Sequence, residues 1–70
     1  MLFTDVSSQR ATKAFSRAGF WVAKRGSRHI GMTDGKRKIV IPRHSRLNPY
    51  TLKATIRDAG LTDEGFKKLL

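Results

Sequence analysis

Asp34-Gly35 separates two short runs whose alternate residues are apolar, Ile30 and Met32 before it and Ile39 and Ile41 after it, with Lys38 and Val40 on the other face of the second run. An Asp-Gly pair tolerates the positive φ angles of a two-residue hairpin turn, and a period of two places alternate side chains on one face. The segment is therefore expected to form an antiparallel hairpin with one oily face, its strands over about Arg28 to Thr33 and Lys36 to Ile41. Pro42 ends the second strand or marks a sheet edge. An isolated hairpin is marginal in water, so this one needs a further strand and a cover.

The residues on either side supply both. Phe20-Trp21-Val22-Ala23 is aromatic and partly β-branched, as strands prefer, with Phe20 and Val22 pointing one way and Trp21 and Ala23 the other. A tight connection over Lys24 to Ser27 leads from it into the hairpin. Upstream, Ser7 or Ser8 caps a helix running to about Ala18, with Val6 and Ala11 as a staple, Ala11, Ala14, Phe15 and Ala18 on one face, and Gly19 as the stop. Downstream of a basic loop over Arg43 to Leu47, Asn48-Pro49 starts a helix that ends at Ala59-Gly60, with Leu52, Ile56 and Ala59 as its buried stripe. Thr62 caps a last short helix, where Leu61 staples against Phe66 and the charges of Asp63, Glu64, Lys67 and Lys68 match the helix dipole. Leu69 and Leu70 close the core or meet a partner.

The expected fold is thus α+β: an α-β-β-β-α chain with a three-stranded antiparallel sheet, helices on one face and a short extra C-terminal helix. This layout resembles the double-stranded-RNA-binding domain (dsRBD), which reads shape, phosphates and 2′-hydroxyls. Residues 1–70 are expected to make one domain, because a chain this short buries only about 60% of its extended surface and has none left for a second core. The chain has no cysteine, which excludes disulfides and thiolate metal sites. No apolar run approaches the roughly 20 residues that span a bilayer, and Met1-Leu2-Phe3 is followed at once by Thr4-Asp5, so neither a membrane helix nor a signal peptide is expected.

Fifteen lysines and arginines against five acids leave a formal charge of +10, which attracts polyanions or an acidic protein partner. Seven of those fifteen bases lie between Lys24 and His44, around the single acid Asp34 and together with both histidines. Imidazole in a basic hairpin suits a phosphodiester substrate, and the expected activity is that of an RNA-directed nuclease. Without a metal, such an enzyme needs a base for the ribose 2′-hydroxyl and cations for the charge on the phosphorane-like transition state. An unperturbed imidazole, with a pKa of about 6.5, is largely neutral near pH 7 and can take that proton. His29, in outward phase on its strand, is the candidate base. His44 is a candidate acid, phosphate ligand or loop-holding residue. Lys24, Arg25, Ser27, Arg28, Lys36, Lys38 and Arg43 are candidate RNA contacts, the arginines through bidentate grip on phosphate oxygens and Ser27 with Gly26 through backbone donors. Trp21 stacks on a base, is covered by a partner protein or packs in a core on the second sheet face, and Tyr50 is equally open. Clustered carboxylates and a three-ligand zinc set are not visible, so a metal-independent, cofactor-free mechanism is expected.

Ala18-Gly19-Phe20, Arg25-Gly26-Ser27-Arg28-His29-Ile30, the Asp34-Gly35 hairpin, Val40-Ile41-Pro42-Arg43-His44 and the run from Thr51-Leu52-Lys53 to Ala59-Gly60-Leu61 together resemble the HicA, or YcfA-like, family of small ribonuclease toxins. The resemblance covers nearly the whole chain in order. It implies a dsRBD-like fold, metal-independent cleavage of mRNA in the cytoplasm, and neutralisation by a cognate HicB-type antitoxin. The family's catalytic histidine, in a Gly-Ser-His or Gly-x-His motif, maps most naturally onto His29. Here Arg28 stands directly after Gly26-Ser27. Either the loop carries one extra residue and His29 keeps the catalytic place, or Arg28 occupies that place and alternation turns His29 to the other face, leaving a weakened or inactive RNA-binding relative. A third reading is a protein-interaction module whose basic face meets an acidic partner.

Overall fold

The computed structural model describes residues 2–70, in the order α1 (Ser8–Arg17), β1 (Trp21–Arg25), β2 (His29–Thr33), β3 (Lys38–Pro42), α2 (Pro49–Asp58) and α3 (Asp63–Leu69). The three strands form an antiparallel meander in the order β1-β2-β3, and the helices lie on one face, as expected.

Each helix begins and ends where its side chains dictate. The Ser7 hydroxyl accepts the Arg10 N–H, Asn48 Oδ1 accepts those of Tyr50 and Thr51, and the Thr62 hydroxyl accepts that of Gly65. Two helices close with the same C-terminal motif. In α1, Gly19 at φ 98° lets the Phe20 N–H reach back to the Phe15 carbonyl; in α2, Gly60 at φ 73° does the same for Leu61 and Ile56. The positive φ is what requires glycine at position 60; the space its missing Cβ leaves is taken by the Arg37 guanidinium, which reaches from the β2–β3 turn to the negative end of α2.

The core is the oily sheet face, Ile30, Met32, Ile39 and Ile41, packed under Ala14 and Phe15 of α1 and Leu52 and Ile56 of α2. Phe66 of α3 completes it, its ring centroid 5.0 Å from Phe15 and 5.3 Å from Phe3. Two buried positions, Leu47 and Thr55, went unmarked in the sequence, and Val6, marked only as a staple, is buried too. Val6 and Leu47 are joined by a backbone bond from Leu47 N–H to the Val6 carbonyl, and Thr55 satisfies its hydroxyl on the Thr51 carbonyl. Leu69 and Leu70 pack against this core, partly buried.

Two local expectations are corrected. The β2–β3 connection is not a two-residue turn: Thr33 pairs with Lys38, leaving the four residues 34–37 as the loop and starting β3 two residues later than expected. Gly35 alone takes positive φ, and Asp34 acts through its carboxylate, which accepts the backbone N–H groups of Arg37 at 2.6 Å and Lys36 at 2.9 Å. Those two bonds, Arg37's first, hold its pKa below the usual 3.8. The strand β1, in turn, runs past Ala23 to Arg25, because a bulge between Val22 and Lys24 carries Ala23 as an extra residue.

Removing the Phe66 ring is expected to cost about 3–5 kcal/mol of folding stability in urea denaturation of Phe66→Ala, since it fills the junction of α1, α3 and the N-terminal segment. Asp34→Asn is expected to be less stable than wild type at pH 7. A lowered native pKa means that the carboxylate's contribution is complete above pH 3.8 and is lost as pH falls through the native value, so the two proteins converge in strongly acid denaturation series.

Candidate active site on the open sheet face

The face of the sheet without helices carries the site. Ile30 and Met32 point into the core, so His29, Gly31 and Thr33 point out, and His29 is exposed at the beginning of β2. Its strand partner is Pro42. Gly26, Ser27 and Arg28 form the connection from β1, closed by a bond from the Gly26 N–H to the His29 carbonyl at 2.9 Å. A Cβ on Gly26 would lie 3.0 Å from that same carbonyl oxygen, which explains glycine at this position. Lys24, Gly26, Ser27, Arg28, His29, Gly31 and Val40 together line an open hollow of about 490 Å³.

Arg43 secures this end of the sheet. Its backbone N–H donates to the Arg28 carbonyl at 2.8 Å and its Nε to the Gly26 carbonyl at 2.7 Å. The guanidinium thereby braces the turn that carries Arg28, while the residue also lines the hollows on the helix side.

The predicted contacts divide into three groups. Lys24, Ser27 and Arg28 gather around His29. Arg25 and Arg43 instead line a hollow of about 320 Å³ with Ser8, Gln9, Thr12 and Lys13, on the side of α1. The cause is the Ala23 bulge. Neighbours on a strand face opposite ways in any case, and the bulge shifts the alternation by one residue, so that Lys24 faces Gly31 on the open side and Arg25 faces Ile30 on the other. Lys36 and Lys38 lie at the far end, in the β2–β3 turn and at the start of β3. His44 is not brought to His29: it lines a separate hollow with Ser7, Ser8, Gln9, Arg43 and Ser45, and its carbonyl accepts the Ser8 N–H at 3.0 Å. Gly31 and Val40 belong to the wall of the His29 hollow without having been singled out in the sequence; their alternation with His29 and Pro42 was the available signal.

Chemically, the hollow presents one imidazole, one guanidinium and one ammonium, and none of its lining side chains is acidic. Such a surface attracts a phosphodiester and can place a proton acceptor beside it. No helix of the described residues is long and apolar enough to cross a membrane.

Fold and site together define a small dsRBD-like α+β protein with an exposed histidine in a cationic hollow. The family model of the HicA toxin of bacterial toxin–antitoxin systems matches residues 8–61, from the first turn of α1 to the residue after the Gly60 stop, and the chain belongs to that family. A comparison with curated proteins finds no significant match.

The two glycines of the site make opposite predictions. Gly26→Ala is expected to lose about 1–3 kcal/mol in urea denaturation because its methyl meets backbone. Gly31→Ala is expected to leave stability within about 0.5 kcal/mol, since its Cβ meets Lys24 Cβ at an ordinary 3.5 Å.

Proposed function

We propose that this protein is a metal-independent RNA endonuclease that cleaves mRNA in the cytoplasm, with His29 as general base. The observation that carries this reading is the exposed His29 ring in a hollow shared with Lys24 and Arg28 and free of lining carboxylates. The imidazole accepts the proton of the ribose 2′-hydroxyl. The 2′-oxygen then bonds to the adjacent phosphorus as the bond from phosphorus to the 5′-oxygen breaks, leaving a 2′,3′-cyclic phosphate. Solvent supplies the proton to the departing 5′-oxygen. Arg28 and Lys24 offset the charge that builds on the non-bridging oxygens; Ser27, Lys36 and Lys38 hold neighbouring phosphates, while Arg25, Arg43 and His44, on the side of α1, meet phosphates farther along the strand.

Membership of a toxin–antitoxin family supports a protein partner of HicB type. It neutralises the toxin by covering the cationic open face. A catalytically weak RNA-binding domain is the second reading, and the observation favouring it is Arg28 directly after Gly26-Ser27.

Cleavage of single-stranded RNA in EDTA separates these readings. Wild type is expected to cut, and His29→Ala is expected to lose about 10²–10⁴-fold in rate while keeping its circular dichroism spectrum. Arg28→Ala is expected to lose less, through weaker charge stabilisation. Unchanged cutting by His29→Ala overturns the base assignment; salt-sensitive binding without cleavage by wild type supports the second reading.

A further inference from the structure

We infer that the open sheet face carries a base-stacking subsite built on Trp21 and Val40, which makes an unpaired RNA strand the substrate; this rests on the reading of His29 as the centre of an RNA-cleaving site. Trp21 and Val40 are 53% and 57% exposed, although both sit inside strands. Pairing of Trp21 with Thr33, and of Val40 with Gly31, puts both side chains on the face of His29. The indole lies at the opposite end of β2 from the imidazole, four residues or about 13 Å along the strand.

The hollow at His29 extends along the face as far as Thr33, the strand partner of Trp21. Gly31 has no side chain, and with Ala23, Thr33, Lys38 and Val40 it lines a second hollow of about 270 Å³ that shares Lys24, Gly31 and Val40 with the hollow at His29. One edge of the indole is seated against the β2–β3 turn, its Cη2 3.6 Å from where a Cβ of Gly35 would stand. The pairings set Lys24, Gly31 and Val40 in one row across this face and Trp21, Thr33 and Lys38 in the next, so each exposed apolar side chain stands across β2 from a lysine. None of the side chains that the strands present on this face is acidic. An occupant that alternates flat apolar rings with anionic links complements this pattern, and a single nucleic-acid strand is such an occupant. In a duplex the bases are stacked on one another and turned inward, out of reach of the indole.

Trp21 is the only tryptophan, so its emission reports on the subsite directly. In the His29→Ala protein, an unstructured single-stranded RNA is expected to quench that emission, whereas inorganic polyphosphate and a duplex of the same sequence leave it unchanged. Trp21→Ala is expected to weaken single-strand affinity roughly 5- to 100-fold. The slope of affinity against salt stays the same, because no phosphate contact is lost, and Trp21→Phe restores most of the affinity. Single-strand affinity unmoved by Trp21→Ala, or equal quenching by duplex or polyphosphate, overturns the proposal and leaves the face to a protein occupant. Because binding is read in a protein lacking His29, failure of the stacking subsite is distinguished from failure of the proposed base.

Discussion

One-sided burial governs this molecule. Ile30, Met32, Ile39 and Ile41 bury one face of a three-stranded sheet against Phe15, Leu52 and Ile56, and the helices have no length left over to cover the other face. A sheet of this size needs only one apolar face to be stable. The opposite face is released from packing duty, and its side chains are answerable to ligands instead. That is why a tryptophan and a valine can stand exposed on strands beside a histidine and lysines. Covering both faces would require a further layer, and the described residues form none beyond the sheet and its three helices.

The charge distribution follows from the same division. A net charge of +10 on so small a body opposes compaction through self-repulsion. The chain limits this by separating cations that are adjacent in sequence. The Ala23 bulge sends Lys24 to the open face and Arg25 toward α1. Arg37 reaches over Gly60 to the C-terminal end of α2, where the helix dipole favours a positive group. Arg43 spends one donor on the Gly26 carbonyl and so turns a repulsive neighbour of Arg28 into a brace for the turn that holds it. A polyanion bound at the open face would offset the remaining repulsion, as would an acidic partner, which links folding stability to occupancy of the site.

The Arg28 position shows how a short turn can make sequence register less decisive. Gly26 closes the connection tightly, and Arg28 and His29 both line one hollow although only His29 belongs to a strand. Whichever of the two stands in the family's motif position, the guanidinium and imidazole face the same space. One offers a fixed positive charge and the other a proton acceptor, and phosphodiester cleavage has a use for both.

Much of this was legible in the amino-acid sequence because it depends on neighbours in the chain. Ser7, Asn48 and Thr62 act as caps through bonds to residues two or three positions away, and Gly19 and Gly60 stop helices for local conformational reasons. The alternation of Ile30 and Met32 with His29 and Gly31 put the histidine on the outer face. Tertiary structure alone decided what depends on residues distant in sequence. Val6 met Leu47, Thr55 became core, His44 went to the N-terminal end of α1 instead of to His29, and the turn after Thr33 lengthened to four residues as β3 took its register from β2. The bulge at Ala23 belongs with these. Nothing in Val22-Ala23-Lys24 announces it, since it arises from how two strands match over their length. The same pairing, made between residues five to twelve apart, decided which face Arg25 would serve.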